Sequence, residues 1–311
     1  MEQRGGQAGR QRGMARFPGL GVRFEGLLES LAHASRPDSG PVATEVGRLS
    51  GALEADIRRR ALDPGRLTPT LRGIRGWLAY FAEGDHLDAY LAARLALQAG
   101  LQELAGRRLR SPFTIHLRPM TGLMRLRGDR SGTRLHLPAA VVGLPAAELG
   151  HCAELAAGRP RARARVMAAL MQPACQAVRE RMLALGGEVD GAAGACHHLG
   201  RLFAALNRDH FGGRLERPRL EWSARPSLRK LGHYDPLHDR VVVSAALDRA
   251  EVPAHVVAYV LYHELLHKHH GVRVEGGTVR AHTAAFRRDE RRYPDHAEAE
   301  RFLARLGACR T

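Results

Sequence analysis

Two histidines four residues apart, with a glutamate beside the first, have the types and spacing that most directly allow chemistry in this chain: His263-Glu264-Leu265-Leu266-His267. Residues four apart share one face of a helix, so both imidazoles can reach a single tetrahedral ion such as Zn²⁺. Glu264 lies one step round the helix. There its carboxylate is poorly placed to join the ligands but well placed to take a proton from a water beside the ion.

This is the HExxH pattern of metal-assisted hydrolysis. The chain holds 17 histidines, so the competing reading is an accidental pair of satisfied core histidines. The surroundings argue for the metal. Val256, Val257, Ala258, Val260 and Leu261 precede the pattern, and the run from Pro253 to about His270 reads as a buried helix. A buried helix avoids a glutamate and two histidines unless something satisfies them.

Catalytic zinc takes three protein ligands and a water, so a third ligand is needed. The continuation HExxHxxGxxH would need Gly at 270 and His at 273, whereas the chain has His270 and Arg273. His282 is the stronger candidate, because it opens a new helical segment, 281–288, after a glycine-containing loop from Gly271 to Thr278. Glu275, Glu290 and Glu298 are later carboxylates, and His269 and His270 are local competitors; a straight helix does not bring three turns of side chains onto one ion.

The elements that must position these groups point to an α+β domain. An amphipathic helix through Leu199, Leu202, Phe203 and Leu206 ends at Phe211-Gly212-Gly213. Strand signals follow at 219–222, 230–234 and 240–244, with a turn at 235–239. The expectation is a small antiparallel sheet packed on the HExxH helix, with the strand around Val241 to Ser244 aligning an extended substrate. His233 and Tyr234, near the sheet edge, are candidates for an oxyanion or substrate contact.

Leu206-Asn207, Phe211-Gly212-Gly213, Leu220-Glu221-Trp222, Gly232-His233-Tyr234, Ala245-Ala246-Leu247, HELLH and His282 with Phe286-Arg287 occur in that order. Residues 195–308 thereby resemble the SprT-like zinc metallopeptidases, the group that includes the Spartan DNA–protein crosslink proteases. The resemblance implies a zincin-like fold with one Zn²⁺ on His263, His267 and His282, and Glu264 as catalytic base.

Upstream, residues 1–20 read as a disordered basic tail and 21–90 as a helical region. Leu27, Leu28 and Leu31, then Val46, Leu49, Leu53 and Ile57, then Leu71, Ile74, Trp77, Leu78 and Phe81 recur at helical spacing. Trp77, Tyr80 and Phe81 read as core rather than a base-stacking platform. Residues 91–186 carry a faint repeat of the last third. Arg108 to Pro112 resembles Arg214 to Pro218, and Arg134 to Val141 resembles Arg240 to Leu247, both at an offset of 106; Leu144-Pro145-Ala146 matches Val252-Pro253-Ala254 at 108. At 108, His263, Glu264 and His267 fall on Leu155, Ala156 and Arg159, so the copy is expected to be degenerate and metal-free. Residues 187–194 read as a glycine-rich linker.

Composition narrows the partners. The formal charge is +16, and Lys230 and Lys268 are the only lysines among 48 basic residues, so the charge is nearly all arginine, suited to phosphate. Arg287, Arg288, Arg291 and Arg292 are candidate nucleic-acid contacts, the alternative being a solvated helix face paired with Asp289 and Glu290. No apolar run is long enough for a bilayer, and Cys152, Cys175, Cys196 and Cys309 form no CxxC pair. A cytoplasmic location with no membrane partner is expected. Two functions fit: a zinc metallopeptidase acting on protein or peptide substrates, DNA-associated ones included, or a non-catalytic DNA- or protein-binding module with a structural zinc.

Overall fold

The computed structural model describes residues 14–34, 40–106, 109–130, 132–187, 189–271, 273–275, 278–280 and 282–308. Among them the chain is α+β, with eleven α-helices, two mixed three-stranded sheets and a two-stranded ribbon. No helix among these residues is long and apolar enough to cross a membrane. Residues 1–13 of the expected tail, Arg108 of the repeat, Glu188 of the expected linker and Cys309 lie outside the described residues. From Met14 the chain is placed: Ala15 is buried and its N–H donates to the Arg66 carbonyl. Two compact units result, Met1–Val189 and Asp190–Thr311.

The first unit contains α1 (Leu20–His33), α2 (Gly40–Arg59), α3 (Pro69–Phe81) and α4 (His86–Glu103), then β1 (Phe113–Arg118), β2 (Arg125–Asp129) and β3 (Gly132–Pro138), then α5 (Ala146–Ala156), α6 (Ala162–Leu170) and α7 (Pro173–Gly186). The leucines spaced three and four apart in α1 to α3 are buried, as an apolar helix stripe requires. Thr68 caps α3 by accepting from the Leu71 N–H at 3.2 Å, with Pro69 at the first helical position. Trp77 is fully buried, donates to the Leu117 carbonyl at 2.9 Å, and meets Phe24 and Tyr90 edge-on, so these aromatics are core. The helical region and residues 91–186 share this one unit, with α1 and α4 packed on β1 and α3 on α7.

The second unit contains α8 (Leu199–His210), β4 (Arg219–Trp222), β5 (Gly232–Asp235), β6 (Arg240–Val243), α9 (Ala254–His270), β7 (Arg273–Glu275), β8 (Thr278–Arg280), α10 (Ala284–Glu290) and α11 (His296–Ala308). Its sheet has the order β4-β6-β5, with β4 parallel and β5 antiparallel to β6. It is therefore mixed, not antiparallel as the sequence suggested. The physical reason lies in β6: Val241, Val242 and Val243 are all buried, so this strand takes the centre and the chain crosses from β4 to the far edge before turning back into it.

Residues 190–194 are built into the second unit rather than linking freely. Gly191 bridges to Glu221, and the Ala192 carbonyl accepts from the Leu199 N–H at 2.8 Å. The Asp248 carboxylate gathers the N–H groups of Ala195, Cys196 and His197 at 2.5, 2.9 and 3.0 Å. A Cβ on Gly194 would lie 2.5 Å from that carboxylate, so this glycine serves close approach rather than flexibility.

The two units repeat one pattern. A helix (α4, α8) packs on the first strand of the sheet and on the following helix (α5, α9). Three strands follow in the order first-third-second, then a 3-10 turn beginning at Ala139 or Ala245, then a helix entered through Pro145 or Pro253. The offsets seen in the sequence coincide with these starts: Phe113 and Arg219 open β1 and β4 at 106, and Ala146 and Ala254 open α5 and α9 at 108.

Candidate metal centre

α9 is 17 residues long and buried on nearly every side, with Val256, Val257, Leu261, Leu265 and Leu266 inside the core. Packing against α8, β5, β6, α10 and α11 leaves little of it for water. The helix runs beyond His267 and closes at Gly271, whose φ of 68° is left-handed. His263 and His267 lie half-buried on one stripe.

His282 stands opposite them, one residue before the cap of α10. The Thr283 hydroxyl accepts from the Phe286 N–H at 3.2 Å and sets where that helix begins. Phe286 is fully buried, with its ring centroid 5.1, 4.7 and 4.9 Å from those of His263, His267 and His282. Each of the three histidines offers a nitrogen, and these atoms all lie within 4.8 Å of one another.

The donor set fits a metal. His263 Nε2 and His282 Nε2 are 3.3 Å apart; tetrahedral ligands at a Zn–N distance of about 2.0–2.1 Å stand about 3.3–3.4 Å apart. Burial, with His263 and His282 beside it, pushes His267 down to about 4, and burial and His263 lower His282 as well. Both are then neutral at pH 7, the form that ligates. His282 is exposed, so the group is open on one side.

The competing ligands are engaged elsewhere. His270 Nε2 is 3.1 Å from Asp289, and the His269 ring lies against Phe211. Glu298 pairs with His255 at 3.7 Å, and Glu290 reaches His263 Nδ1 rather than the converging nitrogens. The Glu275 side chain lies outside the described residues.

Glu264 is 6% exposed. Its Oε2 accepts from the Tyr234 backbone N–H at 2.8 Å. Burial raises its proton affinity, against the opposing pull of His263 and of that hydrogen bond. Gly232 makes room for it: a Cβ there would lie 2.9 Å from Glu264 Oε1 and 3.0 Å from its Cγ.

β5 separates its two candidate residues. Gly232 and Tyr234 pair with Val243 and Val241, on the face that packs against α9. The pleat turns His233 to the opposite face, with Val242 and Glu221. The Tyr234 hydroxyl donates to Asp239 Oδ1 at 3.0 Å, and Asp239 also binds Lys268 at 2.5 Å. What Tyr234 brings to the site is its backbone N–H, not its phenol. Arg287, Arg288, Arg291 and Arg292 are exposed, with Arg292 2.9 Å and Arg288 3.9 Å from Asp289.

Two features escaped the sequence reading. The loop after α9 contains a ribbon, β7 paired antiparallel with β8; its signal was Gly276-Gly277 between Arg-Val-Glu and Thr-Val-Arg. The contact of Glu290 with His263 joins residues 27 apart on α9 and α10 and carries no local signal. Comparison with protein-family models, curated proteins and solved structures returned no match.

Proposed function

We propose that this chain is a zinc-dependent metallopeptidase of the SprT-like kind, hydrolysing peptide bonds in protein or peptide substrates. His263, His267 and His282 would hold one Zn²⁺, and Glu264 would be the general base. The supporting observation is the convergence of three histidines from two elements beside a buried glutamate held by the backbone of β5. Zinc bound there would polarise the scissile carbonyl and lower the pKa of water at the site.

Glu264 accepts a proton and passes it to the leaving amine, and its raised proton affinity suits that exchange. The Tyr234 N–H fixes the carboxylate through Oε2. β6 is the central strand, so the Val241–Ser244 strand has no free edge for substrate. β5 has one. The Ser244 N–H bonds the Leu231 carbonyl, so in antiparallel register residues 233 and 235 face β6 while 232 and 234 turn their backbone groups outward. An extended peptide laid along that edge would bond the outward groups of Gly232 and the Tyr234 carbonyl, the Tyr234 N–H being held by Glu264 beside it.

The alternative, a binding module with structural zinc, calls for a closed four-ligand site. The three-histidine group with exposed His282 favours catalysis. DNA-associated substrates are part of the proposal on the strength of the +16 charge and the exposed Arg287, Arg288, Arg291 and Arg292; cleavage stimulated by added DNA is the expected sign. The deciding experiment is Glu264→Gln. It keeps its zinc and loses about 10²- to 10⁴-fold in cleavage of an unfolded protein. Undiminished turnover refutes the mechanism, and a wild type that binds zinc and DNA but cleaves nothing establishes the module instead.

A further inference from the structure

We propose that Glu290 is a positioning residue of the metal centre, whose carboxylate holds the His263 ring in the tautomer and plane that aim Nε2 at the other two imidazoles. The inference rests on the metal-binding reading above.

Glu290 Oε1 lies 2.6 Å from His263 Nδ1, and its side chain is 18% exposed. An ionised carboxylate only accepts, so the proton of this hydrogen bond sits on Nδ1. In a neutral imidazole that leaves the lone pair on Nε2, the atom 3.3 Å from His282 Nε2. Without the carboxylate the ring is free to take the other tautomer, which places a proton where an ion must bind. A carboxylate behind a ligating histidine also strengthens it as a donor.

The surroundings hold Glu290 in place. The same Oε1 lies 3.5 Å from the Tyr259 hydroxyl, which is 3.4 Å from Glu300 Oε1. The Tyr262 hydroxyl donates to the Asp289 carbonyl at 2.8 Å, and His270 meets the Asp289 carboxylate at 3.1 Å. α10 is thus fastened to α9 along its last turn, while His282 stands just before its first. One short helix thus has the third candidate ligand just before its cap and the support for the first at its last residue.

The test compares full-length wild type, Glu290→Ala, Glu290→Gln and His282→Ala. Zinc affinity is measured by competition with a chromophoric chelator, and the tautomer of His263 in the metal-free proteins by nitrogen-15 NMR. Glu290→Ala is expected to bind zinc about 10- to 100-fold more weakly and to lose the Nδ1–H tautomer. Glu290→Gln keeps an oxygen acceptor at nearly the same volume, so it retains the tautomer and recovers part of the affinity. Wild-type affinity in Glu290→Ala, with His282→Ala impaired, overturns the positioning role alone. A wild type without zinc overturns the metal reading and this role with it. Equal losses in the alanine and glutamine variants, with the tautomer unchanged in both, also overturn the role.

Discussion

The helices α5 and α9 occupy the same place in two copies of one pattern, yet among the described residues only α9 carries a candidate metal centre. Both start after a proline and pack on the preceding helix. α5 stops after 11 residues at Ala156, whereas α9 continues for 17. Leu155 and Ala156 stand where His263 and Glu264 would be, and Arg159, the counterpart of His267, lies beyond the end of α5. The difference teaches that the candidate ligands depend on helix length as much as on residue type. The strands differ as well. Leu126 pairs with Leu135 as Tyr234 pairs with Val241, but the counterpart of Glu264, the residue that the Tyr234 N–H holds, is Ala156. Arg127 faces Arg134 at the place where Asp235 faces Arg240.

The largest effect expected from this contrast is on metal content. His267→Ala loses the single equivalent of zinc and all cleavage, whereas Arg159→Ala changes neither; metal analysis after gel filtration decides. Zinc lost through the Arg159 variant would break the comparison. Next is Gly232→Ala, which pushes Glu264 aside while leaving the three histidines in place. It should retain zinc and lose about 100-fold in kcat, because small misplacements of a reacting group are costly.

A smaller effect concerns Asp235. Burial pushes its carboxyl up, but the hydrogen bond and charge of His238 and the charge of Arg240 outweigh this and leave it at about 2. Its folded-state value is below the ordinary one. The ionised group therefore stabilises the fold at pH above about 4, and that contribution fades as pH falls towards 2. Urea titrations of wild type and Asp235→Asn should differ by about 2 kcal/mol at pH 7 and converge towards pH 2. The smallest effect tests the same position in the other copy. Arg127→Asp replaces a like-charge pair with an opposite one and should stabilise the first unit by about 0.5 kcal/mol; a lower melting temperature would show that the copies do not correspond there.

The histidines were legible because their signals are local. His263 and His267 follow from helical spacing, and His282 from the helical segment expected at 281–288, which in the structure begins only at Ala284 behind the Thr283 cap. The order of the strands was not, because three valines in β6 reveal a buried strand without revealing its neighbours. His233 and Tyr234 were read together as site candidates although consecutive strand residues point to opposite faces. The structure leaves the backbone N–H of one and sends the side chain of the other away. Neither that contact nor the hydrogen bond of Glu290 to His263 is a property of any short stretch; both arise when separate elements pack on α9.

His263 and His282 are 19 residues apart in sequence and in contact in space. An ion gripping both would close that stretch into a ring, as a reversible cross-link does. Part of its binding energy would then go into the entropy of loop closure. Chelation should accordingly do more than empty a site: amide hydrogen exchange in α10 should quicken while the buried middle of α9 stays protected. Metal supply would set the local order of the second unit as well as its chemistry.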